Sequence, residues 1–179
     1  MNKIIISAIG SDRPGIVFEL TEIIKIHRAN IEESRMTRLG SDFVIIMLIS
    51  IEDKSIKSLL ADLQSIKELT ITTKYTESNN IINGEHCLIE LNGADNEGII
   101  NVLSNYLSEK SMNIKNLNTH ISNAPITGTP LFNLKAITSI PDHLSITDIQ
   151  SDLNQIASKL SVEILAYQFD NMEENHLFS

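Results

Sequence analysis

The sequence is poorest in cysteine and in positive charge. Cys87 is the single cysteine among 179 residues, so no disulfide can close within one chain and no cluster of thiolates can hold a metal. Only 14 Lys and Arg stand against 23 Asp and Glu, a formal charge of −9, whereas a grip on phosphate backbones needs a basic face. No direct nucleic-acid contact is expected. The deficit is uneven: residues 1–77 carry about −1 and residues 78–179 about −8. A basic protein partner or a solvated acidic surface would each account for this. No apolar stretch reaches the roughly 18 residues that span a bilayer, and Met1 opens no charged leader before an apolar run, so a cytoplasmic protein with no membrane contact is expected. The five histidines share no ligand spacing. Neither a His-Glu-x-x-His run nor a glycine-rich phosphate loop is present, and Cys87 falls in a stretch read as strand, where a buried thiol explains it. Catalysis, metal binding and a cofactor are therefore not expected.

With 42% hydrophobic residues the chain can bury one ordinary core or two small ones. Its most informative stretch is Gly10-Ser11-Asp12-Arg13-Pro14-Gly15-Ile16-Val17, a turn between an apolar strand and an amphipathic helix. Asp12 is a good N-cap, Pro14 suits a first helical turn, and Gly15 lets the backbone approach a neighbour or a ligand. Free N–H groups at such a helix start suit a small anion.

The turn recurs as Gly93-Ala94-Asp95-Asn96-Glu97-Gly98-Ile99-Ile100, each glycine and aspartate displaced by about 83 positions, and the shift also carries Leu20 to Leu103, Asn30 to Asn113 and Ile31 to Ile114. Further on the shift grows to about 89, taking Phe43 to Phe132 and Ile51 to Ile140. An insertion of about six residues therefore falls near Ser122–Pro130, where proline and glycine mark a loop. The loop is read as a long hairpin connection or a lid.

Each copy reads βαββαβ. In the first, 3–9 is a β-branched strand and Ile16, Leu20, Ile23 and Ile24 fall at helical spacing, with Asn30 ending that helix. Residues 31–39 and 43–51 flank Gly40-Ser41-Asp42 as a hairpin. A helix from about Lys54 and a strand over 69–75 close the copy. The second copy repeats the order from His86 to Phe169. The unbroken run 44–49 predicts a strand buried on both faces. This is an α+β fold of two ferredoxin-like units, each an antiparallel sheet covered on one face by two helices. Uncovered faces and edges need company, so pairing of the halves and a homodimer are expected.

Asp12-Arg13-Pro14-Gly15-Ile16-Val17, followed by a helix and Ala29-Asn30-Ile31, resembles an ACT domain, the small-molecule-sensing module of amino-acid metabolism. The resemblance covers both copies, placed at 1–77 and 86–170, with a polar linker at 78–85 and a flexible tail at 171–179. Gly128-Thr129-Pro130-Leu131-Phe132, leading into Ile137-Thr138-Ser139-Ile140-Pro141, resembles the glycine cleavage system transcriptional repressor family. That resemblance implies a cytoplasmic, non-enzymatic repressor of the glycine cleavage operon that acts on a LysR-type activator and responds to a small amino acid, glycine or serine first. It also implies ligand contacts at Gly10, Asp12, Gly15, Ile16, Asn30 and Ile31 in the first copy and at Gly93, Asp95, Gly98, Ile99, Asn113 and Ile114 in the second, between the turn and the start of the second strand. Asp12 and Asp95 read first as N-caps and second as ligand groups, whereas Asn30 and Asn113 read equally as helix C-caps in the left-handed conformation and as ligand groups. Asn96-Glu97 replaces Arg13-Pro14, and its carboxylate opposes an anion, so the two sites should differ. Two other readings remain open: a regulatory relative of formyltetrahydrofolate deformylases or phosphoserine phosphatases, and a protein-interaction module without a ligand.

Overall fold

The computed structural model describes residues 1–77, 85–94, 97–125 and 127–169. Nearly all of the expected linker and the expected tail at 171–179 lie outside the described residues. The chain divides into two compact units, Met1–Asn80 and Ile81–Ser179.

Unit one runs β1 (Asn2–Ser11), α1 (Ile16–Ile26), β2 (Asn30–Leu39), β3 (Asp42–Ile51), α2 (Asp53–Ser65) and β4 (Thr70–Thr76). Its antiparallel sheet has the order β2-β3-β1-β4. Alternation along β1 and β3 sends Ile4, Ile6, Ala8, Ile45, Met47, Ile49 and Ile51 to the helix side. There they meet Ile16, Leu20 and Ile24 of α1 and Ile56, Leu59 and Leu63 of α2. Burying each of the isoleucine, leucine and methionine side chains contributes about 1.5–3 kcal/mol. The run 44–49 is not buried on both faces: Ile45, Met47 and Ile49 are in the core, but Ile46 on the opposite face is 48% exposed. An all-apolar strand is thus compatible with a one-sided sheet, because the period-two geometry and not composition decides which side chains reach the helices.

Unit two repeats the order as β5 (His86–Ala94), α3 (Ile99–Glu109), β6 (Ile114–Asn123), β7 (Pro130–Ser139), α4 (Ile146–Leu160) and β8 (Val162–Phe169), with sheet order β6-β7-β5-β8. Cys87 is fully buried in its core beside Ile89, Leu103 and Leu107. The insertion is confined to one hairpin. Gly40 and Ser41 alone connect β2 to β3, whereas 124–129 connect β6 to β7, closed by the Ala124 N–H donating to Thr129 O at 2.9 Å.

The end of the first helix in each unit is tied to the second helix. His27 Nε2 lies 2.7 Å from Asp62 Oδ2, and Lys110, 83 positions on, lies 2.7 Å from Asp152 Oδ2.

Candidate functional site

The turn after β1 is braced from three sides. The Asp12 N–H donates to Ser41 O at 3.0 Å. Arg13 then spans two carboxylates, with Nη2 2.5 Å from Glu19 Oε2 and Nε 2.6 Å from Glu68 Oε2. The bond to Glu19 is the main reason the guanidinium is held above its usual pKa. These bridges tie the turn to α1 and to the connection between α2 and β4, along a shallow depression of about 600 Å³.

The helix itself starts later than its sequence suggests. Its N-cap is Gly15, at φ 90 and ψ −7, and no side chain caps it. Asp12 is therefore not the cap: it lies three residues ahead, and its exposed carboxylate bonds no helix N–H. Pro14 likewise precedes the helix and is not in its first turn. Left-handed geometry at Gly15 suits a residue without Cβ. Beyond it, Ile16 N–H reaches Arg13 O only at 3.5 Å and Glu19 N–H reaches Gly15 O at 2.9 Å, while the N–H groups of Gly15, Val17 and Phe18 meet no acceptor among the described residues. Three donors thus converge at the positive end of α1. Ile16 is buried in the core, so only its backbone belongs to this surface.

Gly10 and Gly93 serve another purpose. A Cβ on Gly10 would stand 2.4 Å from Glu68 O and 2.6 Å from Leu69 Cδ2, and one on Gly93 would stand 2.5 Å from Val162 Cγ1. Close backbone approach belongs to these two glycines, whereas a Cβ on Gly15 would meet nothing within 4 Å.

Asn30 and Ile31 lie at the far end of α1. The helix ends at Ile26 with His27 as C-cap, and the left-handed residue is Arg28 at φ 56. Asn30 is therefore no helix cap; it opens β2 opposite Ser50. Its exposed side-chain amide has no partner among the described residues. An eleven-residue helix separates the two groups of candidates by about 16 Å. One unit alone cannot bring its own turn and its own Asn30 onto one small ligand.

In unit two, Gly98 caps α3 at φ 86, above the buried Ile99, and Glu97 is exposed beside it. Asp95 lies outside the described residues. Asn113 is held by its backbone, its N–H donating to Ser139 Oγ at 3.0 Å and its O accepting from Ser139 N–H at 2.9 Å. Asn113 and Ile114 border a shallow groove of about 400 Å³ with Ser104, Ser108 and Ser111. Ser111, at φ 57, takes the left-handed position of Arg28.

A β-bulge beside each asparagine is a feature that residue types alone do not announce. Ile31 pairs with Ile49 and Glu33 with Leu48, leaving Glu32 as the extra residue; Lys115 is extra in the same way. Glu32 Oε2 lies 2.5 Å from Lys3 Nζ, and this lysine holds its carboxyl below the usual range. Lys115 instead contacts His86, which occupies the position of Lys3 in the repeat. The repeat shift applied to Glu32 would have exposed this inversion of charge.

The ACT domain family model matches residues 2–76. The glycine cleavage system transcriptional repressor of Escherichia coli is 47% identical over 47 residues, 26% of this chain and 25% of that protein, so the matched stretch spans a quarter of the repressor's length. A UPF0237 protein of Methanopyrus kandleri is 36% identical over 70 residues, covering 38% of this chain and 78% of its own. Across both units, the crystal structure of an unknown protein from Galdieria sulphuraria superimposes with a TM-score of 0.81 at 30% identity, covering 94% of this chain and 98% of that one. With the motif, the family model and these matches in agreement, residues 2–76 belong to the ACT-domain family, the second unit repeats their βαββαβ order, and the chain resembles the glycine cleavage system transcriptional repressors.

Proposed function

We propose that this protein is a non-enzymatic, cytoplasmic regulator of gene expression that senses a small amino acid, glycine or serine first. In this reading it represses the glycine cleavage operon by contacting a LysR-type activator and not DNA. The observation that carries the sensing role is the set of unpaired N–H groups at Gly15, Val17 and Phe18. They suit an amino acid's carboxylate, which gains from both the donors and the helix dipole. Arg13 bridges Glu19 and Glu68 beside them, so its positive charge offsets part of the repulsion these carboxylates exert on that group. The open amide of Asn30 suits the ammonium through its carbonyl oxygen.

The length of α1 sets the assembly this requires. A ligand touching both the turn and an Asn30 amide must be shared between two ACT folds, which accords with a homodimer. Binding then shifts the arrangement of the folds, provided the two arrangements differ in ligand affinity. Gly10, Asp12, Gly15, Ile16, Asn30 and Ile31 form the stronger proposed site. Gly93, Asp95, Gly98, Ile99, Asn113 and Ile114 form the weaker one, because Glu97 is exposed beside its helix start.

Thermal denaturation with a panel of amino acids tests the reading. A ligand at a hundredfold excess over its Kd stabilises by about 2.7 kcal/mol, which raises Tm by roughly 5–10 °C for a chain of this size. Glycine or serine should produce that shift, and Asn30→Ala should reduce it. No shift with any amino acid at millimolar concentration rejects sensing. Capture of a LysR-type activator unaffected by amino acids and by Asn30→Ala would indicate an interaction module instead.

A further inference from the structure

A row of four side chains crosses the same end of each sheet. In unit one Lys3 lies opposite Ser50, and Ser50 opposite Asn30, with the bulged Glu32 reaching back to Lys3. In unit two His86 lies opposite Ser139, Ser139 is bonded to Asn113, and the bulged Lys115 reaches back to His86. Lys3 and His86 each precede a core residue, Ile4 and Cys87, so both rows lie on the sheet face turned away from the helices. Asparagine and serine recur in the two rows. The charges do not.

In unit one the row is balanced, because Lys3 and Glu32 pair at 2.5 Å. In unit two the ammonium of Lys115 meets Nε2 of His86, which can accept from it only through a lone pair. His86 is 1% exposed and its ring packs against Phe169, so it holds the lysine in place without supplying a negative charge. The other lysines of residues 78–179 are answered. Lys110 pairs with Asp152 and Lys135 with Glu90, while Lys159 lies in the last turn of α4, where the helix dipole favours a cation. Lys115 has no acid partner among the described residues.

The side-chain amide of Asn113 also has no partner among the described residues, and both Asn113 and Lys115 are exposed. An amide NH2 and an ammonium side by side are donors that suit a carboxylate. Asn30 beside Glu32 offers no such pair. We propose that Asn113 and Lys115 bind a carboxylate, so that the second unit prefers a dicarboxylic amino acid, aspartate or glutamate, to glycine or serine.

The proposal rests on the reading that an amino acid is shared between the turn of one ACT fold and the opening of the second strand of another. The N–H groups of Gly98, Ile100 and Asn101 meet no acceptor among the described residues and take the α-carboxylate. Exposed Glu97 beside them answers the ammonium group on the same carbon. The side-chain carboxylate then reaches Lys115 and Asn113 of the facing copy. Glycine has only one carboxylate, and with that group on the turn it would present its ammonium to Lys115, a like charge. Each unit thus reports on a different amino acid.

Isothermal titration of the full chain with glutamate, aspartate, glutamine, asparagine and glycine tests this. One of the two acids should bind at least about tenfold more tightly than its own amide, which keeps the shape and loses the charge. Equal affinities of both acids and their amides overturn the proposal. Lys115→Gln should abolish the preference for the acid and Lys115→Arg should keep it, while Asn30→Ala, which weakens the glycine response, should leave it unchanged. A purely structural lysine would shift acid and amide together, so a preference that survives Lys115→Gln overturns the assignment. Added salt should weaken binding of the acid more in wild type than in Lys115→Gln. Binding of glycine without either acid overturns this inference alone; binding of no amino acid overturns the sensing role with it.

Discussion

Gly10 lies so close to Glu68 that a Cβ on the glycine would stand 2.4 Å from the Glu68 carbonyl oxygen. The two residues belong to the turn before α1 and the connection before β4, and Arg13 closes the same junction by pairing with the Glu68 carboxylate at 2.6 Å. A residue that the family resemblance marks as a ligand contact is thus also a packing requirement.

Gly10→Ala should therefore destabilise unit one by about 1–3 kcal/mol, the usual range for overpacking, because backbone must move. Gly15→Ala should cost about 1–2 kcal/mol for a different reason, its φ of 90, which carries a left-handed penalty and no clash. Urea unfolding measures both. Equal stability of Gly10→Ala and wild type would contradict the close approach.

The two kinds of helix start separate under mutation. Ser145 caps α4, its Oγ accepting from the Asp148 N–H at 3.2 Å and donating to Asp148 Oδ2 at 2.6 Å. Ser145→Ala should lose about 1 kcal/mol. Asp12→Ala should change stability by less than about 0.5 kcal/mol, since no helix N–H depends on its side chain. Denaturant midpoints of the two variants check the contrast.

Burial pushes the Cys87 thiol up to about 11, and burial also raises the Tyr106 phenol above its usual 10. Both groups hold their protons more tightly folded than unfolded. Their contribution is complete below pH 9 and is lost as pH rises through 9 to 11 and beyond. Unfolding free energy should fall by on the order of 1–3 kcal/mol over that window, and Cys87→Ala should flatten part of the slope from a lower baseline. The native thiol should also resist iodoacetamide at pH 8 and react once urea unfolds the chain.

Removing Arg13 tests the electrostatics of the proposed site. Arg13→Gln frees the carboxylates of Glu19 and Glu68 beside the open N–H groups, so the affinity for glycine or serine should fall roughly five- to tenfold. Added salt should recover part of the loss. Isothermal titration of variant and wild type at two ionic strengths reads both effects.

Much of the fold was legible along the chain because it repeats. The near-constant shift from Gly15 to Gly98 and from Asn30 to Asn113, with apolar residues at periods of 3.6 and 2, determined two βαββαβ units and located the added hairpin residues between β6 and β7. Glycine and proline punctuate turns whatever surrounds them, so these features need no knowledge of distant neighbours.

The tertiary structure decided what local pattern cannot carry. Whether Gly10 or Gly15 needs close approach depends on Glu68, far along the sequence. Asp12 was displaced as cap because the braced turn delays the helix start to Gly15, and Arg28 took the left-handed position assigned to Asn30. The rise of α1 parted the two groups of proposed ligand contacts. Gln150 of α4 closed the β8 edge by bonding the Ala166 N–H and Ile164 O, which follow its own helix. Sequence periodicity reports which way a side chain faces; which backbone groups remain unpaired is settled only when strands and helices come together.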